Sequence, residues 1–309
     1  MSRFDVTIAG ELNLDLILYG LPEQLAPERE LLADRMMLTL GSSSAIVAHN
    51  LAALGGRVGF QSRIGDDPLG QIALDRLLQG GVDAARVRRV PSSTTTGLTV
   101  ILHHGSWRNI LTYAGTIAEL TWDDLDLDYL ADSRHFHLSS YYLQRALRPR
   151  VPELLRGMKS KGLSTSLDTN DDPDDRWEGD LREVLRYVDV FLPNEREALK
   201  IAGASDLETA INKLQGLVPV VVVKLGRKGS LAQRGAERIV IPAREVAAVD
   251  TVGAGDSFDA GFLQQYVTGA DLATCLASGN RAGALSTTRP GGTEAFRDVE
   301  HREKFLKEG

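Results

Sequence analysis

Residues Val249 to Phe262, Val-Asp-Thr-Val-Gly-Ala-Gly-Asp-Ser-Phe-Asp-Ala-Gly-Phe, constrain the fold of this chain more than any other stretch. Ahead of them, Ile239-Val240-Ile241-Pro242 reads as an apolar strand. Behind them, Phe258, Phe262, Leu263 and Tyr266 recur at three- and four-residue spacing, the mark of a helix with one buried face. Gly253-Ala254-Gly255 is therefore a glycine turn that opens a helix. The first amides of a helix have no intrahelical acceptor, and the helix dipole adds positive potential, so such a turn suits an anion. Glycine lets the backbone approach that anion closely. Asp256 reads in two ways, as an ordinary capping carboxylate or as a base beside the anion. A carboxylate next to an anion hole repels the anion unless it takes a proton near the transferred group. That combination points to phosphoryl transfer to a hydroxyl.

The length of 309 residues sits near the size at which one core stops growing, so a large body with a small appendage is expected. A net charge of −7 argues against a nucleic-acid partner or an anionic membrane surface. The single cysteine, Cys275, excludes an internal disulfide and suits a reducing compartment. Met1 to Asp5 show no charge-then-apolar leader pattern, and no apolar run approaches membrane-spanning length. These features predict a cytoplasmic location and no membrane partner.

Along the chain, Phe4 to Gly10 alternate as a first strand and deliver Glu11, Asn13 and Asp15 at its C-terminal end, where open α/β sheets bind ligands. Asn13 and Asp15 are two apart and face the same way on extended chain; an amide beside a carboxylate can clamp vicinal hydroxyls. Gly41-Ser42-Ser43-Ser44 caps a helix over 45–54, and Asp67-Pro68 starts another that Gly80-Gly81 ends. Runs at 96–102 and 109–113 read as a hairpin joined through Gly105-Ser106. From His135 onward, strand and helix patterns alternate. His135-x-His137 lies on one strand without further ligands, which favours packing over metal binding. Asp168-Thr169-Asn170 ends the next strand, and the acidic run from Asp171 to Asp175 reads as a solvated loop. Asn194 and Glu197 have capping-box spacing. Val220 to Val223 is a buried strand leading to Lys224-Leu225-Gly226-Arg227-Lys228-Gly229, and Leu272 to Leu285 is a helix.

The run Asp250 to Phe258 resembles the C-terminal signature of the ribokinase-like (PfkB-type) carbohydrate kinases. Arg57 to Gly70 resembles the N-terminal signature, and the likeness extends over nearly the whole chain. It implies an α/β fold: one ribokinase-like, three-layer αβα catalytic domain over residues 1–309, with a central, mostly parallel sheet. A small β-sheet lid would come from about residues 12–19, 33–40 and 97–114. The resemblance makes Asp256 the catalytic base and the amides of Gly253, Ala254, Gly255 and Asp256 the anion hole. Asn13, Asp15, Gly41, Ser42, Asp168 and Asn170 are then expected at the acceptor. Lys224, Gly226, Gly229, Thr251, Asn280 and Thr287 are expected at the nucleotide, with Asn194 and Glu197 acting indirectly on Mg²⁺. Lys224 reads equally as a phosphate-neutralising cation or a simple strand-end charge. ATP and Mg²⁺ are the implied cofactors, with K⁺ as a further candidate, and the lid is the implied homodimer contact.

Ser42 stands where relatives carry a second glycine, Ser43 where ribokinases often have lysine, and Ile46 where they place asparagine. Ile117 replaces a polar residue of the common Gly-Ala-Asn-Ala. These departures count against ribose, while the acceptor stays open among fructose, ribose, 2-keto-3-deoxygluconate and nucleosides, all of which the resemblance allows. A dinucleotide oxidoreductase lacks support because Phe258 stands where its third glycine belongs. No Gly-x-x-x-x-Gly-Lys-Ser/Thr run occurs either. A nucleoside kinase and a catalytically silent sugar or nucleotide binder remain as alternatives.

Overall fold

The computed structural model describes residues 2–91, 93–104, 107–177 and 180–308. Thirteen strands occur among them: β1 Phe4–Ala9, β2 Leu14–Leu21, β3 Arg35–Leu40, β4 Val58–Gly65, β5 Asp83–Val90, β6 Leu98–His104, β7 Trp107–Tyr113, β8 Ser133–Leu138, β9 Ser164–Leu167, β10 Val190–Phe191, β11 Val220–Lys224, β12 Ser230–Arg234 and β13 Glu237–Ile241. Nine of them form one sheet in the order β13-β12-β11-β10-β9-β8-β1-β4-β5. Its pairs from β5 to β11 are parallel, and at the other edge the β11–β12 and β12–β13 pairs are antiparallel. Both faces are covered by apolar clusters, one with Leu154, Leu185 and Ile211, the other with Val47, Phe262 and Leu276. Parallel sheets need helices on both faces because each connection must cross over the sheet. That explains why Val220 to Val223 read as an unbroken apolar run.

The remaining strands form a separate sheet in the order β3-β2-β6-β7. The expected lid segments at 12–19, 33–40 and 97–114 supply these strands. β2 pairs antiparallel with β3 and parallel with β6, with Leu14 opposite both Leu40 and Leu98. The β6–β7 hairpin forms as its two β-rich runs suggest, with Leu98 opposite Tyr113; its turn at Gly105-Ser106 lies outside the described residues. Local signals elsewhere are also realised. Ser42 Oγ accepts from the Ala45 amide at the start of helix Ser43–Ala53. Asp67 caps helix Pro68–Gln79 through the Gly70 amide. β10 is only Val190–Phe191, and just before it Asp189 accepts from Lys159 and the Thr165 amide. Among the described residues no helix is long and apolar enough to cross a membrane.

Candidate active site

The site lies where β1, β8, β9 and β11 release the chain towards the helix Ala254–Tyr266. Gly253 begins that helix at φ 71, a left-handed conformation that glycine adopts without penalty. A side chain there would also strike Gly292 Cα, so two constraints select glycine. The first helical turn closes with the Ser257 amide donating to Gly253 O, at 2.9 Å, which leaves the Gly255 and Asp256 amides ahead of the intrahelical ladder. Ile46 packs under both Gly253 and Gly292. The residue that departs from the ribokinase pattern is thus an apolar wedge beneath the turn. Ile117, another departure, is buried against Gly97.

Lys224 sits behind this turn, with Nζ 3.6 Å from where a Cβ on Gly255 would lie. It donates to Asp168 Oδ2 at 2.6 Å and to both oxygens of Asp259 at 3.2 and 3.3 Å. Burial disfavours charge here, but the single cation ionises one partner. Lys224 pulls the Asp168 carboxyl below its usual range against the opposing effect of burial. Burial, together with its place beside Asp168, pushes Asp259 well above that range. Of the two carboxyls, Asp168 is therefore the one Lys224 favours in its ionised form, and Asp259 the one whose charge is disfavoured. Asp168 therefore faces Lys224, and sequence reasoning missed Asp259 altogether.

Asp256 is buried, and its Oδ1 accepts from Asn170 Nδ2 at 3.3 Å. Burial, then the Asp168 charge, push its carboxyl up to about 6. Asp15 is buried across the same space. Burial, then the charges of Asp256 and Asp250, push it up to about 7. Asn13 and Asp15 do lie side by side, because a Cβ on Gly41 would meet both of their side chains. Asn13 Nδ2 is held by Leu14 O at 3.1 Å and Thr99 Oγ1 at 3.5 Å. Ser42 Oγ donates to Glu11 O, drawing the start of its helix onto the end of β1. The structure thus gathers Asn13, Asp15, Gly41 and Asn170 near Asp256.

On the other side opens a cavity of about 590 Å³. Its lining includes Lys224, Gly226, Gly229, Thr251, Asn280 and Thr287, all six positions expected at the nucleotide. Asn280 Nδ2 donates to Ile241 O and Pro242 O, fixing the cavity wall. Ala254, Gly255 and Phe258 connect the cavity to the helix start. Asn194 and Glu197 form the capping box their spacing suggests, with Asn194 N–H donating to Glu197 Oε2 at 2.8 Å. Asn194 also bridges to Lys224 through the backbone. Burial, then the Asp168 charge, push Glu197 up to about 7.

Lid and body meet at Asp250, which the sequence did not single out. It accepts from Tyr19 Oη at 2.8 Å, from the Val252 amide and from the Gly291 amide, both at 3.0 Å. His103, stacked on Tyr19, lies 3.6 Å from its other oxygen. Arg108 of β7 reaches down to donate to Thr251 Oγ1 at 3.0 Å. His135 and His137 are packing groups: each ring nitrogen of both is hydrogen-bonded to a serine, Ser164, Ser166 or Ser139. Among the described residues no cluster of three or more His, Cys, Asp or Glu is arranged to hold a metal.

The family model for pfkB family carbohydrate kinases matches residues 3–298, and the chain belongs to that family. It is 32% identical to a fructokinase of Klebsiella pneumoniae over 277 residues, covering 85% of this chain and 90% of that one. Ribokinase from Thermotoga maritima superposes with a TM-score of 0.81 at 25% identity, over 98% of this chain and 99% of that one. Ribokinase of Arabidopsis thaliana, solved with ribose and ATP, shares the fold with a TM-score of 0.80 at 24% identity, over 99% of each chain.

Proposed function

We propose that this chain is an ATP-dependent kinase that transfers the γ-phosphoryl group to a hydroxyl of a sugar or sugar-like acceptor, with Asp256 as the base. The observation that carries the reading is the position of Asp256. Its charge acts on Asp15, which adjoins Asn13 and Gly41, and it directly follows Gly255, which lines the cavity together with Lys224. A carboxyl pushed up to about 6 is ionised at neutral pH, yet basic enough to accept a hydroxyl proton as the new bond forms. Of the amides expected to form the anion hole, Ala254 already donates to Thr251 O at 3.3 Å, so those of Gly255 and Asp256 would meet the charge that develops on the transferred group, and preorganised donors of this kind act most strongly in a buried site. Lys224 supports the turn from behind. Its own charge is matched by Asp168, so it holds the helix start without drawing an extra anion.

When bound, Mg²⁺ would supply charge neutralisation for the nucleotide phosphates. The donor set fits an indirect hold on it. Each Glu197 oxygen accepts one bond from Asn194, and a carboxylate has about four lone-pair sites, so each can still accept from a metal-bound water. Glu197 and Asn194 are the residues assigned to that role.

The lid also supports the homodimer expected from the resemblance. β7 is an edge strand that exposes Trp107, Ile110, Leu111 and Tyr113, and such an edge invites pairing with a second copy. The kinase reading is tested by coupled ADP release with ATP and a panel of sugars and nucleosides. Asp256→Asn keeps the shape and removes the base. It should abolish turnover while ATP affinity, read by calorimetry, stays within about twofold of wild type. Retention of more than a tenth of wild-type turnover would mean that about 1.4 kcal/mol or less was lost, and the base assignment would fail.

A further inference from the structure

We infer that Asn170 is a positioning residue for Asp256, locked in one amide orientation by Ser140, and does not act as an acceptor ligand. The inference rests on the reading of Asp256 as the base. Ser140 follows β8 and Asn170 follows β9, so neighbouring parallel strands set them side by side. The Ser140 amide lies 2.9 Å from Asn170 Oδ1. A backbone N–H can only donate, so the Asn170 atom facing it must be the carbonyl oxygen. The Asn170 NH₂ group is thereby turned to Asp256 Oδ1, at 3.3 Å. The opposite rotamer would set oxygen against oxygen and N–H against N–H.

Ser140 is itself tied down. Its Oγ donates to Glu11 Oε1 at 2.7 Å, and Glu11 also accepts from the Ser44 amide and hydroxyl at 3.1 and 2.7 Å. Ser140 and Asn170 both sit at φ 53, in the left-handed region that residues with side chains seldom occupy. Strain held at both ends of one hydrogen bond marks a geometry the surrounding structure over-determines. Asn170 engages one Asp256 oxygen, and the Ser43 side chain also hydrogen-bonds the carboxyl; both favour the ionised form. Asp168, Asp259, Lys224 and Asp15 also act on Asp256 or face it across the site. All stay in place when Asn170 is changed.

The test is the acid limb of the kcat–pH profile. Asn170→Ala should move it upward by about half to one pH unit, and Asn170→Asp, which sets a carboxylate against Asp256, should move it further. An unmoved limb with a raised acceptor KM would make Asn170 an acceptor ligand and overturn the inference. An unmoved limb with lowered stability alone would make it merely structural and overturn it equally. A second readout needs neither variant nor turnover. In wild-type protein the Asn170 side-chain NH₂ signals should titrate together with the Asp256 carboxyl carbon by NMR, and signals flat across that titration would refute the contact. Absence of phosphoryl transfer with every acceptor would instead sink the kinase reading, and the NMR titration would still decide the positioning.

Discussion

Lys224 offers the sharpest energetic test, because a single cation is buried between two carboxyls of unequal state. At 2.6 Å from Asp168 its gross attraction is about 6 kcal/mol for an effective dielectric near 20. Desolvation of both ions offsets part of that gain. Removing one partner of such a pair typically costs about 3–5 kcal/mol, since the other charge is stranded. Lys224→Met is therefore expected to lower the unfolding free energy by about 3–5 kcal/mol at pH 7. Asp259→Asn should cost less than about 1 kcal/mol, because an amide can donate to Asp168 as the neutral acid does. Urea unfolding, extrapolated linearly to water, reads both values. The two carboxyls also give opposite pH slopes. Asp168 is held below its usual range, so its contribution is present above about pH 4 and fades as pH falls through its folded value. The deficit of Lys224→Met should shrink on acidification. Asp259 is held above its usual range, so it costs stability as pH rises from about 4 towards its folded value. Asp259→Asn should accordingly gain on wild type over that rise. Equal losses for Lys224→Met and Asp259→Asn at pH 7 would refute the unequal states of the two carboxyls.

Three further outcomes are expected. Gly41→Ala would drive a methyl group into Asp15 and Asn13; acceptor KM should rise at least about tenfold while ATP affinity is unchanged, and equal losses for both ligands would place the clamp elsewhere. Turnover of the wild-type enzyme should fall about tenfold per pH unit below about pH 6, as Asp256 takes up its proton; a flat profile down to pH 5 would mean another group is the base. Hydrogen exchange over residues 98–104 and 107–113 should slow on acceptor binding and less so with ATP alone, because closing the lid excludes water as a competing nucleophile. Identical exchange in all states would describe a rigid lid.

Much of this architecture was legible in residues that act on their near neighbours. Ser42, Asp67 and the Asn194–Glu197 pair carry caps that depend on three-residue spacing, and each forms. The glycine turn before Ala254 and the unbroken Val220–Val223 run are local in the same sense. Contacts between distant segments left no comparable trace. Tyr19 meets Asp250 across 231 positions, and Arg108 meets Thr251 across 143. Nothing in the sequence around Tyr19 or Arg108 distinguishes those two residues from solvated polar groups. Asp259 is similar: one turn beyond Asp256 it reads as an ordinary helical carboxylate, and only the fold sets it against Lys224 and Asp168. Asp168 itself was legible as a strand-end carboxylate, but its direction was not. Which way it points depends on Lys224, two strands away in the sheet.

The place of β1 has a consequence for how the polypeptide reaches this shape. β1 is made before β4 and β8, yet it lies between them, with Val6 facing Val58 on one side and His135 on the other. During synthesis its second edge stays open until residues 133–138 have emerged, and at about 5–20 residues per second that interval lasts several seconds or more. The apolar edge of Val6 and Ile8 has to be shielded throughout by something other than its final neighbour. Long-range parallel pairing of this kind is slow for the same entropic reason. The strand that later anchors the acceptor clamp is thus the one left longest without its partner.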